Sequence, residues 1–452
     1  MSLMKPRRGA AVAARHPARA VLIAFAIAIG ISTLLLMLPA ATESGAGAPF
    51  RVALFSATSA VCVTGHIVVD TPSYWSTFGE LVILGSIQLG GLGMMTSASL
   101  LGLLVFRRLG LRARLLAQAE TKAHALGEVR RIIGGVVLVS AAVETVLFLV
   151  LFARFWLGYD EGAGRAAYLG AFHAVSAFNN AGFALWSDNL IGFATDAWVT
   201  LSIAVGLILG GLGFPVLFEV RQKLRTPRQW SLHTKVTLLT SGILVAGGWF
   251  FVTAFEWGNP ATLAPLGVPG KLLAGFFQAV TPRTAGFNSL DYSQMNETTW
   301  LSTDALMFIG GSTGGTAGGI KVTTFMILFF AIMAEIRGDT DVNAFRRRIP
   351  GTAIRQALAV ALLGVAIVVT GTLTVLALTD LDLDRVLFEV ISAFGTVGLS
   401  TGITAGLPPS AQYVLIALMY LGRLGPITAA SALALRERGK LFRYPEERPL
   451  VG

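Results

Sequence analysis

Residues 392–402 read "SAFGTVGLSTG". Ten positions before Gly398 stands Phe388, and the same Phe-to-Gly spacing recurs upstream as Phe55 to Gly65, Phe172 to Gly182 and Phe276 to Gly286. The four segments are "FSATSAVCVTGH", "FHAVSAFNNAGF", "FFQAVTPRTAGF" and "FEVISAFGTVGL". Ser59, Ser176 and Ser392 hold one register, six before the glycine. A second marker starts 23 to 27 residues beyond each of these glycines: "LGGLGMMT" from Leu89, "LGGLGFPV" from Leu209, "IGGSTGGT" from Ile309 and "LGRLGPIT" from Leu421. Two markers in fixed order, four times over, define an internal four-fold repeat.

Composition places the repeat in a membrane. Of the 452 residues 54% are hydrophobic and 13% charged, and mean hydropathy is +0.69; a water-soluble domain has too little interior to hide that much apolar surface. The lone cysteine, Cys62, excludes an intramolecular disulfide and a cysteine metal cluster. Net charge is +10, but most of the Lys and Arg residues fall in five short stretches, 1–20, 107–131, 219–235, 335–355 and 436–452. Those stretches are too short to fold as nucleic-acid domains and suit cytoplasmic loops under the positive-inside rule, with anionic membrane lipids as secondary contacts. The basic start followed by an apolar run, Val21 to Leu38, and "PAATES" has signal-peptide features. The run is long enough to span, so an uncleaved first helix is expected.

Each unit reads alike. A long apolar helix (about 20–39, 132–153, 236–255 and 355–378) precedes the Phe-to-Gly segment, and a second apolar helix follows (about 78–106, 198–218, 303–333 and 411–435). The segment between them is too short and polar to cross alone. All basic stretches share one side only if each unit crosses twice and the segment dips in and out by one face. Acidic residues such as Asp160, Asp188, Asp291 and Asp382 fall on the other side. The expected fold is all-α and polytopic: four M1–P-loop–M2 repeats in pseudo-four-fold arrangement around a central ion pore, with eight transmembrane helices and both termini cytoplasmic. The repeats cover 20–106, 132–218, 236–333 and 355–435; basic segments 1–19, 107–131, 219–235, 334–354 and 436–452 flank them.

Non-helical backbone at membrane depth survives only inside protein or beside water. Four dipping loops on one axis can present carbonyl oxygens that replace the hydration shell of a monovalent cation. Thr396-Val397-Gly398 looks like the T-V-G of a potassium-channel filter, but its weight comes from the register it shares. The candidate ion-binding tips are Val63, Thr64 and Gly65; Asn180, Ala181 and Gly182; Thr284, Ala285 and Gly286; and Thr396, Val397 and Gly398. No tip carries a carboxylate, which disfavours a divalent-cation ring; Arg283 is assigned to bracing its loop. Glycines that merely allow close helix packing are the plain alternative for any single position; four at one register argue against it.

The third second helix contains "IGGSTGGTAGGIK". Gly310, Gly311, Gly314, Gly315, Gly318 and Gly319, with Ser312, Thr313 and Thr316 between them, should break it at mid-bilayer and form a loop able to obstruct the pore and move aside. A phosphate-binding loop fails: Ile320 separates Gly319 from Lys321, Val322 stands where Ser or Thr belongs, and no strand precedes. Arg423 replaces the second glycine of the fourth marker. It is expected to donate to carbonyls of the third-repeat loop; Lys321 acts similarly or lies near the cytoplasmic mouth. Glu144, inside a first helix, either pairs locally or marks a subunit contact.

Together these residues resemble the Trk/Ktr/HKT superfamily of potassium transporters over about residues 20–435, most closely its Ktr-type membrane subunit, which lacks two leading helices of the Trk type. The resemblance implies potassium as the ion, since all four tips end in glycine, and an intramembrane gate over Gly310 to Lys321 with Arg423 beside it. It also implies a homodimer with one pore per protomer in the bacterial cytoplasmic (inner) membrane. A cytosolic ring of nucleotide-binding RCK subunits would dock on the basic loops, with sodium as an activator and no organic cofactor. His66 departs from the apolar residue expected there and would add a titratable group at the outer mouth. A broken-helix secondary symporter for another small solute is the alternative; it would show inverted two-fold repeats and a midplane polar site. An enzyme finds no support, with no HExxH, clustered acids or Cys-His arrangement.

Overall fold

The computed structural model describes residues 17–109 and 123–435, with Pro445 and Glu447. The N-terminal arm to residue 16, positions 110–122 of the first linker and the rest of the 436–452 tail lie outside the described residues.

The chain runs four times through one order of elements. A long helix is followed by a short one, then by a second helix: α1 Pro17–Leu36, α2 Phe50–Val61, α3 Thr77–Leu109; α4 Ala123–Gly158, α5 Ala163–Phe178, α6 Ala197–Leu212 with α7 Phe214–Gln222; α8 Leu232–Glu256, α9 Val268–Val280, α10 Glu297–Phe308 with α11 Val322–Arg337; α12 Gly351–Leu378, α13 Leu383–Gly395, α14 Pro409–Leu435. The one described sheet is a hairpin of β1 Asn343–Ala344 and β2 Arg347–Arg348, between α11 and α12.

The long helices bear large apolar side chains outward. Leu138, Leu149 and Trp156 of α4, Phe250 and Phe251 of α8, and Leu362 and Leu373 of α12 are exposed, a surface that hydrocarbon accepts and water does not. Among the described residues, five helices are long and apolar enough to cross a membrane: Arg19–Leu36, Thr77–Ser99, Arg131–Gly158, Leu232–Glu256 and Gly351–Leu378. A sixth is added if α6 and α7 count as one bent span. This makes the chain a polytopic helical membrane protein.

The short helices lie inside. Every residue of α2 from Phe55 to Val61 is buried, as is every residue of α13 from Phe388 to Gly395. Their Ala, Ser and Thr content suits a setting where helices associate by close packing rather than by escape from water. Each second helix packs on the short helix of the next unit: α3 on α5, α6 on α9, α10 on α13, and α14 back on α2, which closes the ring. Gly90, Gly210 and Gly422, the first glycine of three markers, sit on the carbonyl oxygens of Val61, Phe178 and Phe394, at the ends of α2, α5 and α13, leaving no room for a Cβ.

One helix differs from expectation. The second helix of unit two, expected unbroken over 198–218, turns through 96° between α6 and α7. Gly213 takes φ +82° at the bend, and a Cβ there would lie 2.7 Å from the amide nitrogen of Gly315. Pro215, in the first turn of α7, has no N–H to extend the α6 ladder. Glu144, expected either to pair locally or to mark a subunit contact, pairs with neighbouring helices. Gln88 Nε2 donates to its Oε1 at 3.0 Å, and Asn179 Nδ2 donates to Gln88 Oε1 at 2.7 Å, tying α3, α4 and α5.

Candidate functional site

All four tips follow the C-termini of the short helices, and all four have one backbone form. The residue two before each glycine has positive φ: Val63 55°, Asn180 59°, Thr284 68° and Thr396 50°. The glycines follow at 94°, 72°, 75° and 93°. Alternation in the sign of φ aligns successive peptide groups, so carbonyls can share one side. Positive φ is an outlier for β-branched Val63, sustained only where the surroundings over-determine it. They do so here: the Thr64 amide donates to Ser59 O at 2.7 Å and the Gly65 amide to Ser59 Oγ at 3.1 Å. Unit four repeats the clamp, with the Val397 amide on Ser392 O at 2.8 Å and the Gly398 amide on Ser392 Oγ at 3.1 Å. In unit two the Ala181 amide donates to Ser176 O at 2.8 Å, while Ser176 Oγ donates forward to Phe183 O at 2.8 Å. Unit three uses Thr281, whose Oγ1 donates to Phe287 O at 2.5 Å.

The tips meet in cyclic order. A Cβ on Gly65 would stand 2.5 Å from Ala181 O, and one on Gly182 would stand 2.8 Å from Ala285 O. One on Gly286 would strike Val397 O, and one on Gly398 would strike Thr64 O. Each glycine Cα therefore lies against the carbonyl that precedes the next glycine in the ring. The hydroxyls of Thr64, Thr284 and Thr396 are buried and have no hydrogen-bond partner among the described residues.

Above the ring is a cavity of about 360 Å³ lined by all four glycines and by Asp70, Asp188 and Asp291. These aspartates escaped the sequence reading as site residues, although they follow their glycines by nearly equal steps. Asp70 Oδ2 accepts from Ser187 Oγ at 2.8 Å, a contact between units one and two. His66 does not face this mouth: it is buried, with Nδ1 3.4 Å from Glu389 Oε1. The expectation of a titratable outer-mouth group is corrected accordingly, because the loop turns its side chain inward onto α13. Glu389, also missed in sequence, accepts from Thr404 Oγ1 and from Ser400 Oγ.

Beneath the ring lies the glycine-rich stretch between α10 and α11. It is a non-helical excursion closed at its neck by a parallel bridge of Ile309 with Ile320, where the Gly310 amide donates to Ile320 O at 2.8 Å. Thr316 is its hub. Its amide donates to Gly210 O at 3.1 Å, its Oγ1 reaches Asn180 Oδ1 at 3.0 Å, and its carbonyl accepts from Arg423. Gly318 abuts the Thr396 side chain and Gly395 O. The stretch thus touches the tips of units two and four from below. Ser312 donates its amide to Gly211 O at 2.9 Å, and the Phe214 amide donates to Gly314 O at 3.2 Å, which accounts for the bend at Gly213. Lys321 Nζ caps the stretch itself, donating to Ala317 O at 2.6 Å and Gly318 O at 3.2 Å, rather than lying free at a cytoplasmic mouth. Arg283 joins Ser241 O at 3.2 Å to Gly310 O at 3.5 Å. Among residues 310–321, Thr313 alone is exposed.

Backbone oxygens of the four tips thus meet inside a helical membrane protein, with three aspartates on one side and the glycine-rich stretch on the other. The family model for TrkH, cation transport protein, matches residues 3–444. The chain is 41% identical over 436 residues to Ktr system potassium uptake protein B of Bacillus subtilis (strain 168), covering 96% of this chain and 97% of that one. It is 37% identical over 435 residues to the protein of the same description from Vibrio alginolyticus, covering 96% and 94%. The crystal structure of the potassium transporter TrkH from Vibrio parahaemolyticus superposes with a TM-score of 0.70 at 17% identity, over 94% of this chain and 84% of that one. The chain belongs to the TrkH family of cation transport proteins.

Proposed function

We propose that this chain is a potassium-uptake pore whose filter is the ring of four tips and whose gate is the loop over Gly310 to Lys321. The observation that carries the reading is the cyclic contact of each glycine with the carbonyl before the next. A potassium ion sheds its water only where several oxygens replace it at once. The carbonyls of Thr64, Ala181, Ala285 and Val397 come together there, and the unpartnered hydroxyls of Thr64, Thr284 and Thr396 add acceptor capacity. The printed descriptions of the two Ktr relatives support potassium as the ion.

In this reading four M1–P-loop–M2 repeats, 20–106, 132–218, 236–333 and 355–435, give eight spans. The interrupted α10–α11 and α14 join those counted by length, and both termini lie in the cytoplasm of a bacterium. The pore works as a homodimer, with the basic linkers docking a cytosolic nucleotide-binding RCK ring and sodium as activator. Growth of a potassium-uptake-deficient bacterium on low potassium tests the function. The wild-type chain, given a matching cytosolic partner, should restore growth, and Gly65→Ser and Gly398→Ser should impair it or admit sodium. No rescue by well-expressed wild type overturns potassium uptake; two serine variants behaving as wild type overturn the filter.

A further inference from the structure

A second cavity, of about 400 Å³, lies between α6, α8 and α9, away from the ion path. Its outer opening runs along α8, where Gly242, Ala246 and Trp249 form one exposed stripe at helical spacing. Leu207, Val245 and Val280 line its walls, and its inner end reaches Arg283 and Gly311. The stripe lies in the middle of the span Leu232–Glu256, so the opening faces the level of the lipid tails. At that depth the surrounding solvent is hydrocarbon, an apolar cavity does not hold ordered water, and a lipid tail is as apolar as the leucines around it. Gly242 supplies the room: a Cβ there would meet nothing within 4 Å.

The inner end matters because of what meets there. Gly311 is the second residue of the loop beneath the filter, and its carbonyl accepts from the Val322 amide at 3.1 Å. Gly211, also on the lining, holds the loop through the Ser312 amide. Arg283 bridges Ser241 and Gly310 at the same spot. A group seated in this cavity therefore packs against the joint between the loop and α6.

We propose that this cavity is a binding site for one acyl chain of a membrane lipid, and that the seated chain favours the lodged arrangement of the 310–321 loop. The second clause rests on reading that loop as a gate; the first does not. The test uses the full-length protein in proteoliposomes containing phosphatidylglycerol with a diazirine at the end of one acyl chain. After photolysis, adducts are mapped by peptide mass spectrometry. The expected result is label on Leu207 and on the peptide carrying Gly311, lost in Gly242→Trp and in Ala246→Leu, with label on outward Phe250 retained in both. Two variants are used because either side chain enters open space from one helix face, and retained outer label reports an intact fold. Label confined to the outer face, or inner label unchanged by both variants, overturns the site. So does a protein–protein crosslink at Trp249 in place of lipid, which would make the opening a contact between two copies. Potassium flux in bilayers of short and long acyl chains is measured in parallel. Wild-type flux should change with chain length, and Gly242→Trp flux should not. Inner label with wild-type flux indifferent to chain length overturns the coupling to the loop while the site stands.

Discussion

Replacing Arg423 with Ala tests whether the loop under the filter restrains the ion. Arg423 is buried, and one guanidinium nitrogen donates to the Thr316 carbonyl; its Nε and second terminal nitrogen have no hydrogen-bond partner among the described residues. A hydrogen bond from a charged donor contributes about 1.5–3 kcal/mol. Taking about 2 kcal/mol, and about 1.4 kcal/mol per factor of ten, its loss favours release of the loop by about 30-fold. The fold should tolerate the change, because the whole ion leaves and no uncompensated charge stays behind. The loop should also stay partly seated: Thr316 keeps its bonds to Gly210 and Asn180, and Lys321 still caps Ala317 and Gly318. The assay is rubidium or potassium uptake into proteoliposomes, normalised to reconstituted protein, with Tm measured on the same preparation. Flux should rise by up to about 30-fold, less if the resting protein is already open much of the time. Arg423→Lys should fall between, since a single ammonium keeps the charge but loses the planar fork. Unchanged flux from a variant with native Tm would refute the latch.

Gly398→Ala should abolish selective flux without matching loss of expression: the added Cβ strikes Thr64 O at a position with φ +93°. A variant with native potassium over sodium preference, read by competition in the same uptake assay, would contradict the carbonyl ring. Asn in place of Asp70, Asp188 and Asp291 together should weaken apparent potassium affinity several-fold at low ionic strength, and the effect should shrink as salt screens the mouth; an effect independent of salt would argue for a structural role instead. Gly213→Ala should lower Tm, because its backbone (φ +82°, ψ 152°) lies in a region essentially reserved for glycine, where another residue costs about 1–3 kcal/mol, and the methyl meets the Gly315 amide. Equal Tm would mean that the bend relaxes freely.

The sequence exposed what repeats and hid what is settled between units. Gly65, Gly182, Gly286 and Gly398 were visible because a residue type that must be glycine at a crowded, left-handed position recurs at a fixed distance from a phenylalanine. The equally strained position two residues earlier was invisible, since Val63, Asn180, Thr284 and Thr396 share a conformation and no chemistry. In units one and four that conformation is held by the Ser59-type clamp, so there the signal lay in Ser59 and Ser392 rather than in the strained residue. The bend at Gly213 was hidden for a different reason. Its marker "LGGLGFPV" reads much like "LGGLGMMT", whose helix α3 continues past the glycines. What separates them is a partner some hundred residues away, because the unit-three loop needs the carbonyls of Gly210 and Gly211 and the Phe214 amide, and α6 must end to release them. Pro215 was the local hint. Glu389 was missed because a lone acid on a short apolar helix reads as a surface residue, whereas its partners, His66, Ser400 and Thr404, come from the loop of unit one and the segment after its own tip. In this fold one unit's sequence specifies its own helices, while the site is made of contacts to the next unit round the ring. Periodicity therefore finds the positions of the site, and only the closed ring assigns their partners.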